Sequence, residues 1–123
     1  MNVYIITSKK SKDQAEVVHD ILVDYGLNVY LPYVHTPQTT AREIYIANYE
    51  AIKKADLVVA IFGNHYGKDT TAEIGLARGM DRKIIGIGMP NEADIMSFQA
   101  VDQFMTEYEL IKYLTRRSKE LKK

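Results

Sequence analysis

Four short apolar runs along the chain have the composition of buried β-strands, at residues 3–6, 28–31, 57–62 and 83–87. The last two runs are almost continuously apolar, which is typical of strands covered on both faces of a sheet. A weaker run at residues 102–105 could add a short fifth strand at an edge. The pattern therefore predicts a sheet of four to five strands.

Between these runs, apolar residues recur at three- and four-residue spacing, as on the buried face of an amphipathic helix. Gly26 follows the first such segment and is the kind of residue that ends a helix. Because strands and helices alternate, each connection predicts a βαβ crossover. We expect one α/β domain over residues 1–123, with a doubly wound parallel sheet and helices on both faces. The helical segments are 11–25, 40–55, 71–80 and 110–121.

The polar segments that follow the strands are the natural place for a site, because open parallel sheets bind ligands beyond the carboxyl ends of their strands. These candidate segments are 7–10, 32–40, 63–73 and 88–94. The loop and helix start at residues 63–75 contain two carboxylates, those of Asp69 and Glu73. We therefore expect the site in this segment.

The amino-acid composition limits the kinds of molecule that this protein is expected to bind. Sixteen basic and sixteen acidic residues cancel, so the charge favours neither a nucleic-acid polymer nor a membrane as partner. The chain has no cysteine, and neither a secretory leader nor a membrane span is visible, so we expect a cytoplasmic protein. The histidines have no ligand spacing, and we expect no metal and no cofactor; they are His19, His35 and His65.

Residues at the strand ends exclude three common functions of this architecture. A phosphate-accepting receiver domain needs acidic residues after the first strand and an aspartate after the third. The chain has Thr7-Ser8-Lys9 and Gly63-Asn64 there. It also lacks a G-x-G-x-x-G sequence after the first strand and a Walker loop, which argues against dinucleotide and P-loop nucleotide binding.

Thr70 and Glu73 have two possible roles. Their spacing fits a capping box, in which each side chain satisfies a backbone donor at a helix start. In a first turn, Glu73 would also feel the positive end of the helix dipole, which stabilises an ionised carboxylate by about 0.3–1 kcal/mol. Such a carboxylate can act as a nucleophile or stabilise an oxocarbenium-like sugar centre, with Asp69 as a second acid. Gly75 and Gly79 would let this helix pack closely on the sheet.

The strand 56–62, the stretch 69–79 with its Glu73-Ile74-Gly75 sequence, and the strand start 83–85 together resemble the nucleoside 2-deoxyribosyltransferase family. Related nucleoside-monophosphate N-glycosidases share this pattern. The resemblance covers roughly the first hundred residues and implies a flavodoxin-like fold. In the family, the glutamate of the E-x-G pattern attacks C1′ of the deoxyribose, and a second base or water then takes the sugar. The resemblance thus implies that Glu73 is the nucleophile, Asp69 its partner near the leaving nitrogen, and Tyr4 the tyrosine that orients Glu73.

The chain departs from the family pattern in the spacing of Asp69 and Glu73, which is shorter than in many members, and after the first strand, where the family commonly has glycine. Two further departures concern residues that would contact the substrate. Where the family usually has an aspartate that helps to hold the nucleobase, this chain has Asn48, which can hydrogen-bond a base but cannot act as a general acid. The family's Asn-x-Met sequence, which a neighbouring subunit lends to the site, corresponds to Asp94-Ile95-Met96 here. Asp94 and Met96 are therefore candidate substrate contacts, and the resemblance implies a homodimer or a larger homo-oligomer.

Hydroxyls and lysines after the first strand are plausible phosphate ligands. The same residues could instead be a solvated helix start with Ser11 as its N-cap. The candidate substrate-binding residues, including those that the resemblance implies, are Thr7, Ser8, Lys9, Asn48, Gly67, Thr70, Asp94 and Met96.

Three functions remain open. The first is an enzyme that cleaves the N-glycosidic bond of 2′-deoxynucleosides or their 5′-monophosphates through a covalent intermediate on Glu73. Transfer of the sugar to a second base is the leading outcome, and hydrolysis is favoured if Lys9 and Lys10 hold a 5′-phosphate. The second is a non-catalytic nucleotide-binding or sensing module on the same fold, which Asn48 and Asp94 favour. The third is an interaction domain in which Thr70 and Glu73 only cap a helix.

Overall fold

The sheet contains five parallel strands within the described part of the chain. The computed structural model describes residues 1–63, 67–88 and 99–118. The strands lie in the order β2-β1-β3-β4-β5, and every neighbouring pair is parallel. The sequence prediction of a parallel sheet, including its short edge strand, is confirmed. The strands are β1 (Asn2–Ile6), β2 (Asn28–Tyr30), β3 (Leu57–Phe62), β4 (Lys83–Gly88) and β5 (Gln103–Met105).

Helices connect the strands, and the hydrophobic spacing predicted all but one of the α-helices named below. The exception, α2, is a single turn that begins on a proline, too short for any periodicity to show. None of the described helices is long and apolar enough to cross a membrane. The helices are α1 (Lys12–Asp24), α2 (Pro32–His35), α3 (Ala41–Lys54), α4 (Lys68–Gly79) and α5 (Glu107–Arg116), and a 3-10 turn (Lys9–Ser11) precedes α1.

Alternate residues of each strand point to opposite faces of the sheet, and both faces are covered. On one face, Val3 and Ile5 of β1 pack in a cluster with buried residues of α1 and α5. On the other face, Tyr4 and Ile6 pack in a cluster with buried residues of α3 and α4. This arrangement is the doubly wound, flavodoxin-like fold, and its strand order reverses between β1 and β3.

The register of the first two strands aligns two tyrosines. Tyr4 of β1 is the direct partner of Tyr30 of β2. Their rings stack with centroids 5.7 Å apart and planes 12° from parallel, an arrangement that adds to the stability gained from burial alone. Both rings lie on the face that α3 and α4 cover, so their hydroxyl groups can reach residues on those helices.

The start of α4 differs from the sequence prediction. The helix begins at Lys68 rather than at residue 71, and its N-cap is Gly67, with no side-chain cap. Thr70 and Glu73 therefore lie inside the helix, and the predicted capping box is wrong. Thr106 and Glu109 form a capping box instead, at the start of α5.

Two further expectations about α4 are also wrong. Glu73 lies in the second turn, and Asp69 is the acidic residue of the first turn, so the dipole argument for an ionised Glu73 loses most of its force because the effect fades beyond that turn. Gly75 and Gly79 are exposed, and a side chain at either position would meet nothing within 4 Å. Close packing on the sheet does not explain these glycines.

Candidate active site

A hydrogen bond between Tyr4 and Glu73 is the centre of the site. The Tyr4 hydroxyl donates to both carboxylate oxygens, at 2.8 Å from Oε1 and 3.0 Å from Oε2. Tyr4 lies in the middle of β1 and is 0% exposed, whereas Glu73 comes from α4, which follows β3. The bond therefore spans the place where the strand order reverses, which is where open α/β sheets bind ligands.

The surroundings of Glu73 favour its neutral form. Burial raises the pKa of the Glu73 carboxyl to about 7, the Tyr4 hydrogen bond lowers it, and the negative charge of Asp69 raises it further. The protonated and ionised forms are thus both populated near neutral pH. Burial and the charge of Glu73 also raise the pKa of Tyr4, so its phenol stays protonated and keeps donating.

Glu73 faces an open cleft rather than its own backbone. Two adjoining cavities of about 490 and 440 Å³ lie among α3, α4 and the segments that follow β1 and β2, and Glu73 lines both. Their sizes are within the range of small-molecule sites. The residues that line both cavities are Lys9, Gln38, Ile44, Asn48, Asp69 and Glu73.

The structure brings most of the predicted site residues to this cleft. Asp69 is exposed and lies one helical turn before Glu73, so both carboxylates project from the same side of α4. Gly67 and the buried Thr70 line one cavity together with the two residues that follow β1, Thr7 and Ser8. Two further candidates, Asp94 and Met96, lie outside the described residues.

Asn48 is held by a polar chain that the sequence reasoning missed. The Thr36 hydroxyl, which is 3% exposed, donates to Asn48 Oδ1 at 2.6 Å. The Tyr30 hydroxyl lies 2.6 Å from Thr36 Oγ1. Gln38 donates to the Thr36 carbonyl at 2.9 Å and contributes to the cleft wall. Residues 32–40 were a candidate segment, but no local pattern indicates that Thr36 is buried against Asn48.

The part of the chain that the structure describes contains no cluster of metal-ligating side chains. There, no group of three or more histidine, cysteine, aspartate or glutamate residues could hold an ion. The described residues that line the cleft offer two carboxylates, one ammonium group, amides and hydroxyls.

The raised pKa of Glu73 predicts a specific dependence of stability on pH. The folded protein binds more protons at this site than the unfolded chain does between pH 4.5, the ordinary pKa of a glutamate carboxyl, and about pH 7. Glu73 therefore contributes most to stability below its ordinary pKa, and this contribution is lost as the pH rises through about 7. Glu73→Gln removes the buried charge and should raise the free energy of unfolding by about 1–3 kcal/mol at pH 8, with little effect at pH 5.

Urea unfolding at the two pH values measures this difference. Glu50→Gln, on the exposed surface of α3, is the matched control and should change stability equally at both. A Glu73→Gln variant that is no more stable than the parent at pH 8 would contradict the expectation.

Solved structures of known proteins share this fold. A solved 2-deoxyribosyltransferase of Bacillus psychrosaccharolyticus superposes with a TM-score of 0.77 at 16% identity, over 90% of each chain. A CMP N-glycosidase of Clostridium botulinum superposes with a TM-score of 0.67 at 20% identity, over 94% of this chain and 98% of that one. At these identities the likeness shows a shared fold. No curated protein gives a significant sequence match.

The family model described as nucleoside 2-deoxyribosyltransferase matches residues 5–105. This span begins one residue after Tyr4, within β1, and includes all of α3 and α4 and the four other strands. The chain therefore belongs to the nucleoside 2-deoxyribosyltransferase family, whose members are enzymes of the glycosyltransferase or N-glycosidase kind.

Proposed function

We propose that this protein cleaves the N-glycosidic bond of 2′-deoxynucleosides or their 5′-monophosphates through a covalent deoxyribosyl intermediate on Glu73. The observation that carries the proposal is a carboxylate that a buried tyrosine holds at the wall of an open cleft. Family membership and the shared fold with a deoxyribosyltransferase and an N-glycosidase support it.

The reaction is a double displacement. A Glu73 oxygen attacks C1′, and the C1′–N bond breaks with its electron pair leaving on the nitrogen of the base. In the second step a nitrogen of another base, or the oxygen of water, attacks C1′ and releases the Glu73 carboxylate. The departing base takes up a proton from solvent, and in the second step the proton of the attacking nitrogen or water goes to solvent. Asp69, one turn before Glu73 and on the same cleft, is the proposed partner near the leaving nitrogen.

The partly buried state of Glu73 suits this chemistry. A desolvated carboxylate is poorly stabilised as an ion, so its negative charge is strongly attracted to the positive charge that develops at C1′. The Tyr4 hydroxyl fixes the direction of the oxygen atoms without neutralising them. The opposite wall of the cleft, formed by Ile44, Tyr45 and Tyr49 of α3, offers apolar surface on which a base can stack.

Removal of the nucleophile tests the proposal directly. Incubation with deoxynucleosides, their monophosphates and a free base, followed by chromatography, should reveal base exchange or base release. Glu73→Ala should reduce this activity by about 10³-fold or more, because no covalent intermediate can form. Mass spectrometry of the parent protein should find a deoxyribosyl adduct on Glu73.

Glu50→Gln serves again as the control and should keep full activity. Neither base exchange nor base release in the parent protein would contradict the proposal. Tight nucleotide binding without any product would instead select the non-catalytic binding module, the alternative that Asn48 favours because an amide cannot protonate a leaving base.

The pH profile tests the role of Tyr4 as a positioning residue. Because Glu73 must be ionised to attack, kcat/KM should rise with pH through a midpoint near the Glu73 pKa of about 7. Tyr4→Phe removes the hydrogen bond that lowers this pKa, so the midpoint should move to higher pH. At pH 7, kcat/KM should fall by about 10- to 100-fold.

The control for this variant is Tyr25→Phe, since the Tyr25 hydroxyl bonds to Thr115 on the other face of the sheet. Its profile should match that of the parent. A Tyr4→Phe variant with an unshifted midpoint would exclude a direct effect of Tyr4 on the ionisation of Glu73.

A 5′-phosphate would have one cationic partner in the described cleft. Lys9 lines both cavities beside Glu73, while the adjacent and equally exposed Lys10 lines neither. If the substrate is a monophosphate, Lys9→Ala should raise KM for it by about tenfold and leave KM for the free nucleoside unchanged. Lys10→Ala is the matched control, and an equal effect of the two variants would indicate only general electrostatic attraction.

The proposal also includes that the protein associates with further copies of itself and is located in the cytoplasm. Tyr45 and Ile46 of α3 are 52% and 46% exposed beside the cleft, and an apolar surface of this kind favours contact with a second copy. Light scattering of the purified chain measures whether it associates, and a monomer at micromolar concentration would contradict this part of the proposal.

A further inference from the structure

The hydrogen bonds at Asn48 have a defined direction. Thr36 has one hydroxyl proton, and it donates that proton to Asn48 Oδ1 at 2.6 Å. The bond between Tyr30 and Thr36, also 2.6 Å long, must then be donated by Tyr30, because Thr36 has no second proton. The chain runs from Tyr30 to Thr36 to the amide oxygen of Asn48.

This direction determines what Asn48 can offer a ligand. A side-chain amide has one carbonyl oxygen and one amino group with two N–H donors. The oxygen is bound to Thr36, which is buried and does not line the cleft. Asn48 itself lines both cavities. An amide oxygen can accept a second hydrogen bond, but this one is directed at a buried residue, so the group that faces a ligand in the cleft is the amino group, which donates.

Packing and a further hydrogen bond hold Tyr30 and Thr36, the first two members of this hydrogen-bond chain, in place. Tyr30 is stacked on the fully buried Tyr4, and Gln38 bonds to the Thr36 carbonyl. Rotation of the Asn48 amide by 180° would place its amino group against Thr36 and require both hydroxyl protons of the chain to turn. A donor held in this way discriminates strongly between partners, because a ligand that also presents a donor leaves both groups unpaired.

We propose that Tyr30 and Thr36 fix the Asn48 amino group toward the cleft, where it meets the group at position 4 of a pyrimidine or position 6 of a purine, so that the site selects oxo-bases over amino-bases. The favoured substrates are 4-oxopyrimidine and 6-oxopurine deoxynucleosides, which present a carbonyl oxygen where the amino-bases present an N–H donor. This inference rests on the proposed function for the identity of the ligand. Asn48 is the specificity-determining residue, and Thr36 is a positioning residue that acts through it.

Binding measured without turnover separates this inference from the catalytic proposal. Titration calorimetry on Glu73→Gln protein, with deoxyuridine against deoxycytidine and deoxyinosine against deoxyadenosine, gives two affinity ratios. We expect each oxo-nucleoside to bind about tenfold more tightly than its amino partner. Adding Asn48→Asp replaces the donor with an acceptor and should reverse both ratios.

Variants of Thr36 test the positioning role. Thr36→Val removes the hydroxyl and frees the amide to rotate, so the ratios should fall toward one. Thr36→Ser keeps the hydroxyl and should restore them, which a merely structural loss would not do. Equal affinities in the Glu73→Gln background, or ratios that Asn48→Asp leaves unchanged, would overturn the inference.

The two proposals fail in distinguishable ways. Turnover of nucleosides by the parent protein without an oxo-base preference would overturn only the inference about Asn48. An oxo-base preference in binding, with no base release by the parent protein, would overturn only the catalytic proposal. Absence of binding by all four nucleosides would overturn both.

Discussion

The hydrogen bond from Tyr4 to Glu73 is the constraint on which the site depends. It joins the first strand to the helix that follows the third strand, so it forms only when the sheet is assembled in the order that places β1 beside β3. The bond also offsets part of the cost of burying a carboxylate, whose pKa burial raises to about 7. Without this donor, Glu73 would be more often protonated near neutral pH.

The two stacked tyrosines connect both walls of the cleft. Tyr4 and Tyr30 are direct partners in the parallel ladder, and each directs its hydroxyl to a different helix. Tyr4 bonds to Glu73 on α4, and Tyr30 reaches Asn48 on α3 through Thr36. Because a slip of one residue would turn Tyr4 to the other face, the register of two strands positions the Glu73 carboxylate and the Asn48 amide together.

The sequence predicted the framework and indicated Glu73 as the candidate acid, but it did not predict the environment of that acid. Hydrophobic runs and helical spacing depend on burial that is periodic along the chain, so they predicted the sheet and the main helices. The start of α4 was misplaced because Thr70 and Glu73 fit a local capping signature, although the helix begins three residues earlier at Lys68. Contacts such as Tyr4–Glu73 join residues 69 positions apart, and no local pattern encodes their distances or the pKa that results.

The surroundings of Glu73 also bear on why this position holds a carboxylate rather than an amide. A buried acid with a raised pKa lowers the stability of the folded state as the pH rises through neutrality, and a glutamine in its place would keep the hydrogen bond to Tyr4. Packing and stability alone therefore favour the amide over the acid here. The acid gains an advantage only if its charge is used, and the open cleft in front of it is where an electron-poor carbon could meet that charge. The loss of stability that comes with an ionisable group at this position is thus itself an argument for catalysis at this residue.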